Sequence, residues 1–159
     1  MAFENLRVYM ARIDVGKITL NVEETGEGPA FIFIPGLVGL LNAWQYQVKE
    51  FSKRYRCISM DHRGAGDSDC PPLNEYSTEA IADDVISMMD TLGIEKAHVA
   101  GTSTGGAILQ NLAIDHPDRL RCCIFSNTWT KADEYICRVQ TARKQIALSK
   151  GVEAYVKVS

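Results

Sequence analysis

The stretch HVAGTSTGGAIL, residues His98–Leu109, decides the fold, because it places Ser103 between two glycines where one apolar run stops and another begins. We interpret the residues up to Gly101 as a buried β-strand and those from Thr104 onward as an α-helix. A G-x-S-x-G turn this sharp forces its serine into a strained backbone conformation and holds the side-chain oxygen clear of the sheet. The stretch therefore predicts a strand, a turn and a helix, with Ser103 as a candidate nucleophile.

The residues beside the serine support this interpretation. Gly101 and Gly105 allow two backbone segments to approach where any side chain would collide, and Gly106 lets the new helix lie near the neighbouring strand. The backbone N–H of Thr104 lies at a helix N-terminus, where it can meet a developing oxyanion. A glycine-rich turn with an incidental serine is the purely structural alternative.

Apolar runs on both sides of this stretch predict the rest of the sheet. Segments 9–16 and 18–25 alternate apolar and polar residues around a short break, which indicates an antiparallel hairpin. Four continuous apolar runs are typical of strands covered on both faces: AFIFI at 30–34, RCISM at 56–60, AHVAG at 97–101 and RCCIFS at 121–126.

Helical patterns separate these strands. Residues 77–93 predict a helix that Ser77 caps and Gly93 ends, residues 104–116 a helix stopped by Pro117, and residues 43–51 a weaker helix. Repetition of strand and helix favours right-handed crossovers. The sequence thus predicts the α/β class, with a doubly wound, mostly parallel sheet of about six strands and an antiparallel N-terminal edge.

Composition narrows the function classes. The 159 residues suffice for one domain with a sizeable core, and 46% hydrophobic with 23% charged residues is ordinary for a globular protein. A net charge of −3 without a basic cluster argues against nucleic-acid and membrane-surface partners. We predict no signal peptide and no bilayer-spanning run, hence a cytoplasmic protein. We expect reduced, buried structural thiols at Cys57, Cys70, Cys122, Cys123 and Cys137.

Three further motifs occur along the chain. FIFIPGLVGLLNAW covers 31–44, MDHRGAGDSD covers 60–69, and HPDRL at 116–120 leads into the last strand. Together with the serine turn, they make the sequence resemble the alpha/beta-hydrolase superfamily up to about residue 127. Residues 76–106 and the SNTW segment at 126–129 are similar to the branch of 3-oxoadipate enol-lactonases and aminoacrylate hydrolases.

The resemblance implies roles for particular residues. The backbone N–H of Leu37 would supply a second oxyanion donor, from a loop that also contains Gly36 and has Pro35 where the family usually has histidine. Asp61 and Arg63 would be structural residues that brace the floor of the active site. No metal or organic cofactor is implied.

The resemblance also divides the chain. Residues 1–127 correspond to the N-terminal part of a hydrolase core, and residues 128–159 look like the start of a helical cap over the pocket. The last two strands of the family's sheet would then be missing. Trp44 and Trp129 are candidates to line the pocket, with ordinary packing as the alternative.

A serine nucleophile needs a histidine base oriented by a carboxylate, and in this superfamily both follow the serine. The only histidine after Ser103 is His116, which the predicted helix carries roughly 20 Å away. His98 is expected to precede the strand, at the end remote from the serine, as a surface or packing residue. His62 lies in a loop where pairing with backbone or solvent is the alternative to a catalytic role. We interpret three aspartates as solvated charges or caps: Asp115, Asp118 and Asp133. The sequence predicts no complete triad within this chain.

Three explanations fit this pattern. In the first, the chain is the N-terminal portion of a longer hydrolase. In the second, it is a natural short form completed by a second polypeptide that carries the acid and the histidine. In the third, it has lost catalysis and serves as a binding or scaffold protein. We favour the first, because the tail stops at YVKVS without a return to the sheet and the last strand would be a bare apolar edge.

For the intact enzyme we expect acyl transfer from a small ester, lactone, carbamate or activated amide to water. Ser103 would attack, while the N–H groups of Leu37 and Thr104 hold the oxyanion. The expected partners are a small-molecule substrate and the missing segment or a second chain, without metal or cofactor. A serine at this turn argues against epoxide hydrolases and haloalkane dehalogenases, whereas cofactor-free haloperoxidases and carbon–carbon hydrolases remain alternatives.

Overall fold

The computed structural model describes residues 8–37 and 39–157. Residues 1–7, on which the predicted absence of a signal peptide rests, lie outside this part, as do Val38 in the predicted oxyanion loop and the last two residues of the tail. The predicted hairpin is confirmed as β1 (Val8–Asp14) and β2 (Thr19–Thr25), which pair antiparallel along their full length.

Four parallel strands complete the sheet: β3 (Ala30–Ile34), β4 (Arg56–Met60), β5 (Ala97–Thr102) and β6 (Leu120–Ser126). The strand order is β1-β2-β4-β3-β5-β6, and β2 is antiparallel to β4 whereas the β4, β3, β5 and β6 pairs are parallel. The predicted α/β sheet of six strands with an antiparallel N-terminal edge is thus confirmed. Because the carboxyl ends of parallel strands open onto one edge, the loops after β3, β4 and β5 meet there.

Five α-helices are described: α1 (Gln45–Phe51), α2 (Thr78–Thr91), α3 (Thr104–Asp115), α4 (Glu134–Lys150) and α5 (Val152–Val156). The predicted cap of α2 is confirmed, since the Ser77 side chain accepts a hydrogen bond from the Ala80 N–H at 3.1 Å, and Gly93 follows the helix with φ +66°. Asp133 caps α4 in the same way, as its interpretation as a cap predicts.

Two apolar clusters lie on opposite faces of the sheet, because successive strand residues point to opposite sides. Ile32 and Ile34 belong to the larger cluster, with residues of α2 and α3. Phe31 and Phe33 belong to the smaller cluster, where their rings stack at 4.6 Å against the α1 side. Helices on both faces give the doubly wound arrangement.

All five cysteines are free, but the expectation that they are buried is wrong for most of them. Only Cys57 is buried, and burial raises the pKa of its thiol to about 12. Cys123 is half-buried, whereas Cys70, Cys122 and Cys137 are exposed. Cys122 is exposed because it lies on β6, the edge strand of the described sheet, where Ile124 and Phe125 are exposed as well.

Two compact units divide the chain, Met1–Thr128 and Trp129–Ser159. The first contains the six strands with α1, α2 and α3, and the second contains α4 and α5. Among the helices of the described residues, none has both the length and the apolar character that crossing a membrane requires.

Candidate active site

Ser103 lies in the turn between β5 and α3 with backbone angles of φ +53° and ψ −120°. A positive φ is uncommon for a residue with a side chain, and such a conformation costs about 1–3 kcal/mol unless its surroundings hold it. Among the other described residues that are not glycine, only Asn127 has a positive φ. The turn therefore has the strained geometry that the sequence predicts.

Glycines let the start of α3 pack directly on neighbouring backbone. A Cβ atom on Gly105 would lie 2.3 Å from the carbonyl oxygen of Ile34 and 2.4 Å from that of Pro35. A Cβ atom on Gly101 would lie 2.3 Å from the carbonyl oxygen of Gly105. Real Cβ atoms do not approach backbone so closely, so both positions require glycine, as the sequence predicts.

The last residue of β6 and the segment that follows it hydrogen-bond the serine turn. The Ser103 N–H donates to the carbonyl oxygen of Ser126 at 3.0 Å, and the Thr128 hydroxyl donates to the carbonyl oxygen of Ser103 at 2.8 Å. The space that Gly106 leaves is filled by the side chain of Thr128, which lies two residues after β6. Sequence reasoning missed Thr128, since a contact between residues 25 positions apart leaves no local pattern.

The loop after β3 lies against the serine. A Cβ atom on Gly36 would lie 3.2 Å from Ser103 Cβ and 3.7 Å from Ser103 Oγ. The preceding residue, Pro35, is buried, and its carbonyl oxygen accepts a hydrogen bond from His62 Nε2 at 2.9 Å. Leu37 follows with an exposed side chain. The loop that contains the predicted second oxyanion donor therefore lies beside Ser103.

A cavity of about 380 Å³ opens next to the serine turn. Its lining includes Leu37 and Thr104, the two predicted oxyanion donors, together with residues 62–65 after β4, residues 76–78 at the start of α2, and Ile81. Small-molecule sites typically measure roughly 300–1,000 Å³. Ser103 itself is not among the lining residues, but its neighbour Thr104 is, so the cavity offers room for a small molecule next to the serine turn.

Asp61, directly after the end of β4, connects three segments of the chain. Its buried carboxylate accepts hydrogen bonds from Asn21 Nδ2 at 2.7 Å, the Leu41 N–H at 2.8 Å and the Asp67 N–H at 3.2 Å. These donors come from β2, from the turn before α1 and from the loop after β4. One carboxylate therefore fixes the positions of all three.

Arg63 pairs with Asp84 of α2 in a buried, two-bonded ion pair. Its Nε and Nη2 atoms donate to the two carboxylate oxygens, each at 2.7 Å, and the side chains are only 6% and 5% exposed. Its Nη1 atom donates to the carbonyl oxygen of Glu75 at 2.6 Å. The hydrogen bonding to Asp84 raises the pKa of the guanidinium. The sequence interpretation singled out Arg63 but not its partner.

None of the chain's three histidines is placed to take a proton from Ser103. His62 has Nε2 bonded to a carbonyl oxygen and a buried Nδ1 without a hydrogen-bond partner. His98 lies within β5, at the end remote from the serine, and its ring stacks on Phe31 at 5.8 Å. His116 follows α3, roughly 18 Å along the helix from its start.

The two tryptophans lie in different units. Trp44 ends the turn before α1, and its ring packs against Phe33 with centroids 5.4 Å apart. Trp129 is the first residue of the second unit. The role of either side chain in a substrate pocket stays a prediction.

Comparison with known proteins gives a family match over most of the chain. Residues 29–145 match the family described as the alpha/beta hydrolase fold. A protein of Caulobacter vibrioides named "Putative carbamate hydrolase RutD" is 35% identical over 154 residues, which cover 92% of this chain and 56% of that protein.

Solved structures give the same result. The enol-lactonase from Burkholderia xenovorans LB400 superposes with a TM-score of 0.86 at 30% identity and covers 93% of this chain and 57% of its own. The meta-cleavage product hydrolase CumD from Pseudomonas fluorescens IP01 superposes with a TM-score of 0.73 at 28% identity and covers 80% of this chain and 47% of its own. The chain spans about half the length of the relatives that it matches.

Proposed function

This chain belongs to the alpha/beta hydrolase fold family, and on that premise we propose that it carries the nucleophile and the oxyanion donors of a serine hydrolase. The observation that carries the proposal is the backbone of Ser103, with φ +53° between β5 and α3, directly before Thr104, which lines a cavity of about 380 Å³. Backbone strain of this kind clusters at functional sites, where it holds a reacting group in place.

In the proposed reaction, Ser103 Oγ attacks the carbonyl carbon of the substrate. The N–H groups of Thr104 and Leu37 donate to the oxygen that becomes negative, which is the interaction that strengthens in the transition state. The carbonyl re-forms as the leaving group departs, and water then releases the acid from the serine. Because no histidine of this chain is placed at Ser103, we assign the base and its carboxylate to a further polypeptide segment.

The proposed substrates are small esters, lactones, carbamates or activated amides. The names of two relatives, "Putative carbamate hydrolase RutD" and an enol-lactonase, support carbamates and lactones. The cavity volume of about 380 Å³ supports a small molecule, since small-molecule sites typically measure roughly 300–1,000 Å³.

Labelling with a fluorophosphonate tests the nucleophile directly. We expect the full-length protein that contains this chain to gain one phosphonyl group on Ser103, located by peptide mass spectrometry. Ser103→Ala should remain unlabelled, and Ser149→Ala, a control on the exposed surface of α4, should label like the wild type. A folded protein without label at Ser103 would show that the proposal is wrong and would favour a non-catalytic binding protein.

A hydrolase of carbon–carbon bonds is the second candidate function, because the similarity to the meta-cleavage product hydrolase extends over 80% of this chain. The same nucleophile would serve both reactions, so labelling does not separate them. A comparison of kcat/KM for p-nitrophenyl acetate with that for a meta-cleavage product distinguishes the two reactions. A higher kcat/KM for the meta-cleavage product would favour the carbon–carbon hydrolase over the ester hydrolase.

A further inference from the structure

The peptide between Ser103 and Thr104 is held by a side chain from outside the turn. The Thr128 hydroxyl donates to the Ser103 carbonyl oxygen at 2.8 Å. The same oxygen accepts the N–H of Gly106 at 3.0 Å and that of Ala107 at 3.3 Å. Three donors from two different segments therefore converge on one carbonyl group and fix its direction.

This carbonyl group shares a peptide plane with one of the proposed oxyanion donors. Since the peptide bond is planar and trans, the C=O of Ser103 and the N–H of Thr104 point in opposite directions. A group that fixes the oxygen also fixes the direction of the hydrogen. The position of the Thr128 hydroxyl therefore determines the direction in which the Thr104 N–H points.

Thr128 is itself held in one position. A Cβ atom on Gly106 would lie 2.5 Å from Thr128 Cβ and 2.6 Å from its hydroxyl oxygen, so the threonine side chain occupies the space that this glycine leaves. Asn127 has φ +46°, and the Ser126 carbonyl oxygen accepts the Ser103 N–H at 3.0 Å. Both backbone groups of Ser103 are thus tied to residues 126–128.

The two donors within α3 do not fix the orientation of this peptide relative to the sheet. The N–H groups of Gly106 and Ala107 move with the helix, so a small rotation of α3 carries them and the Ser103 carbonyl together. Thr128 lies two residues after β6, and β6 pairs with β5, the strand that leads into the serine. Its hydroxyl therefore fixes the orientation of the Ser103–Thr104 peptide relative to the sheet.

We propose that Thr128 is a positioning residue of the oxyanion hole, which aims the Thr104 N–H at the carbonyl oxygen of the substrate. This inference rests on the proposed function. Thr128 acts through the peptide plane and does not touch the reacting atoms. Its hydroxyl contributes to the step in which the oxyanion forms and not to substrate binding.

The test compares Thr128→Ser with Thr128→Ala in the full-length protein, because these variants differ by one hydroxyl group. With p-nitrophenyl acetate, we expect alanine to lower kcat by about 10- to 50-fold with KM within about twofold, and serine to restore kcat to within about threefold of the wild type. A boronic acid that binds the serine as a tetrahedral adduct should lose affinity by the same factor as kcat.

A matched control is Thr91→Val near the far end of α2, which removes a hydroxyl that lies 3.0 Å from the Ser87 carbonyl oxygen and 3.2 Å from that of Asp14. It should keep the wild-type kcat. If the space left by alanine prevents folding, Thr128→Val supplies the variant without a hydroxyl and is compared with Thr128→Ser in its place.

The outcomes separate this inference from the function on which it rests. Equal kcat values for the serine and alanine variants, or a rise in KM alone, would overturn the role of Thr128 while fluorophosphonate labelling of wild-type Ser103 still supports a serine hydrolase. An unlabelled, folded wild-type protein would overturn both.

Discussion

His62 joins the loop after β4 to the loop after β3, because its Nε2–H donates to the carbonyl oxygen of Pro35 across 2.9 Å. A carbonyl oxygen only accepts, so Nε2 carries the hydrogen, and the buried Nδ1 has no hydrogen-bond partner. Protonation would place a second N–H in a buried site without an acceptor. Burial accordingly lowers the pKa of His62, against weaker opposite effects of Pro35, Asp61 and Asp84.

Acidification is expected to destabilise the protein through this histidine. Because the pKa of His62 is lower in the folded state, the unfolded chain binds the proton first, and the free energy of unfolding falls as the pH drops below about 6.5. Urea unfolding at about pH 7.5 and 5.5 measures the effect. The decrease should be smaller in His62→Gln, whose amide can donate to the same oxygen, and an equal decrease in the variant would contradict the assignment.

Removal of the carboxylate from Asp84 should destabilise the fold strongly. Asp84→Asn leaves the guanidinium of Arg63 buried without a counter-charge, which costs about 3–5 kcal/mol in comparable pairs. Glu134→Gln is the control, because it breaks an ion pair with Arg138 whose side chains are more than three-quarters exposed. Similar urea midpoints for the two variants would show that the buried pair does not stabilise the loop after β4.

Glycine at position 103 should give a more stable protein than alanine at the same position. Ser103→Gly relieves the positive φ, which Ser103→Ala retains, and we expect a difference in the free energy of unfolding of about 1 kcal/mol in favour of glycine. Both variants lose the hydroxyl and should lose activity. An alanine variant as stable as the glycine variant would mean that the turn carries no strain.

Two glycine substitutions should separate folding from activity. Gly105→Ala places a Cβ atom 2.3 Å from the backbone oxygen of Ile34 and should destabilise the protein by about 3 kcal/mol or more. Gly36→Ala places a Cβ atom 3.2 Å from Ser103 Cβ and 3.5 Å from the carbonyl oxygen of Thr102, and should fold with its urea midpoint little changed but with a lower kcat. A stable, active Gly105→Ala variant would contradict the close packing of α3 on β3.

Features that depend on neighbouring residues could be predicted from the sequence. AFIFI and RCISM match β3 and β4 residue for residue, because a short apolar run favours a strand. The prediction that RCCIFS is covered on both faces is wrong, since β6 forms at that place but is largely exposed at the edge of the described sheet. The serine turn was predictable because five consecutive residues set its geometry. Its proposed catalytic role stays a prediction until labelling tests it.

Contacts between distant residues could not be predicted in this way. The partner of Arg63 is 21 residues away on α2, and the partner of His62 is 27 residues away in the loop after β3. Neither pair follows a helical or strand period, so only the folded topology brings them together. The exposure of Cys122 has the same origin, because the position of a strand within a sheet is not a local property.

The hydrogen bond between Asn21 and Asp61 also influences the order of events during biosynthesis. The ribosome makes Asn21 40 residues ahead of Asp61, a delay of roughly two to eight seconds at about 5–20 residues per second. A lone two-stranded hairpin is at best marginally stable in water, so β1 and β2 remain loosely formed during this interval. The nascent chain consolidates its first elements only when the later loop arrives.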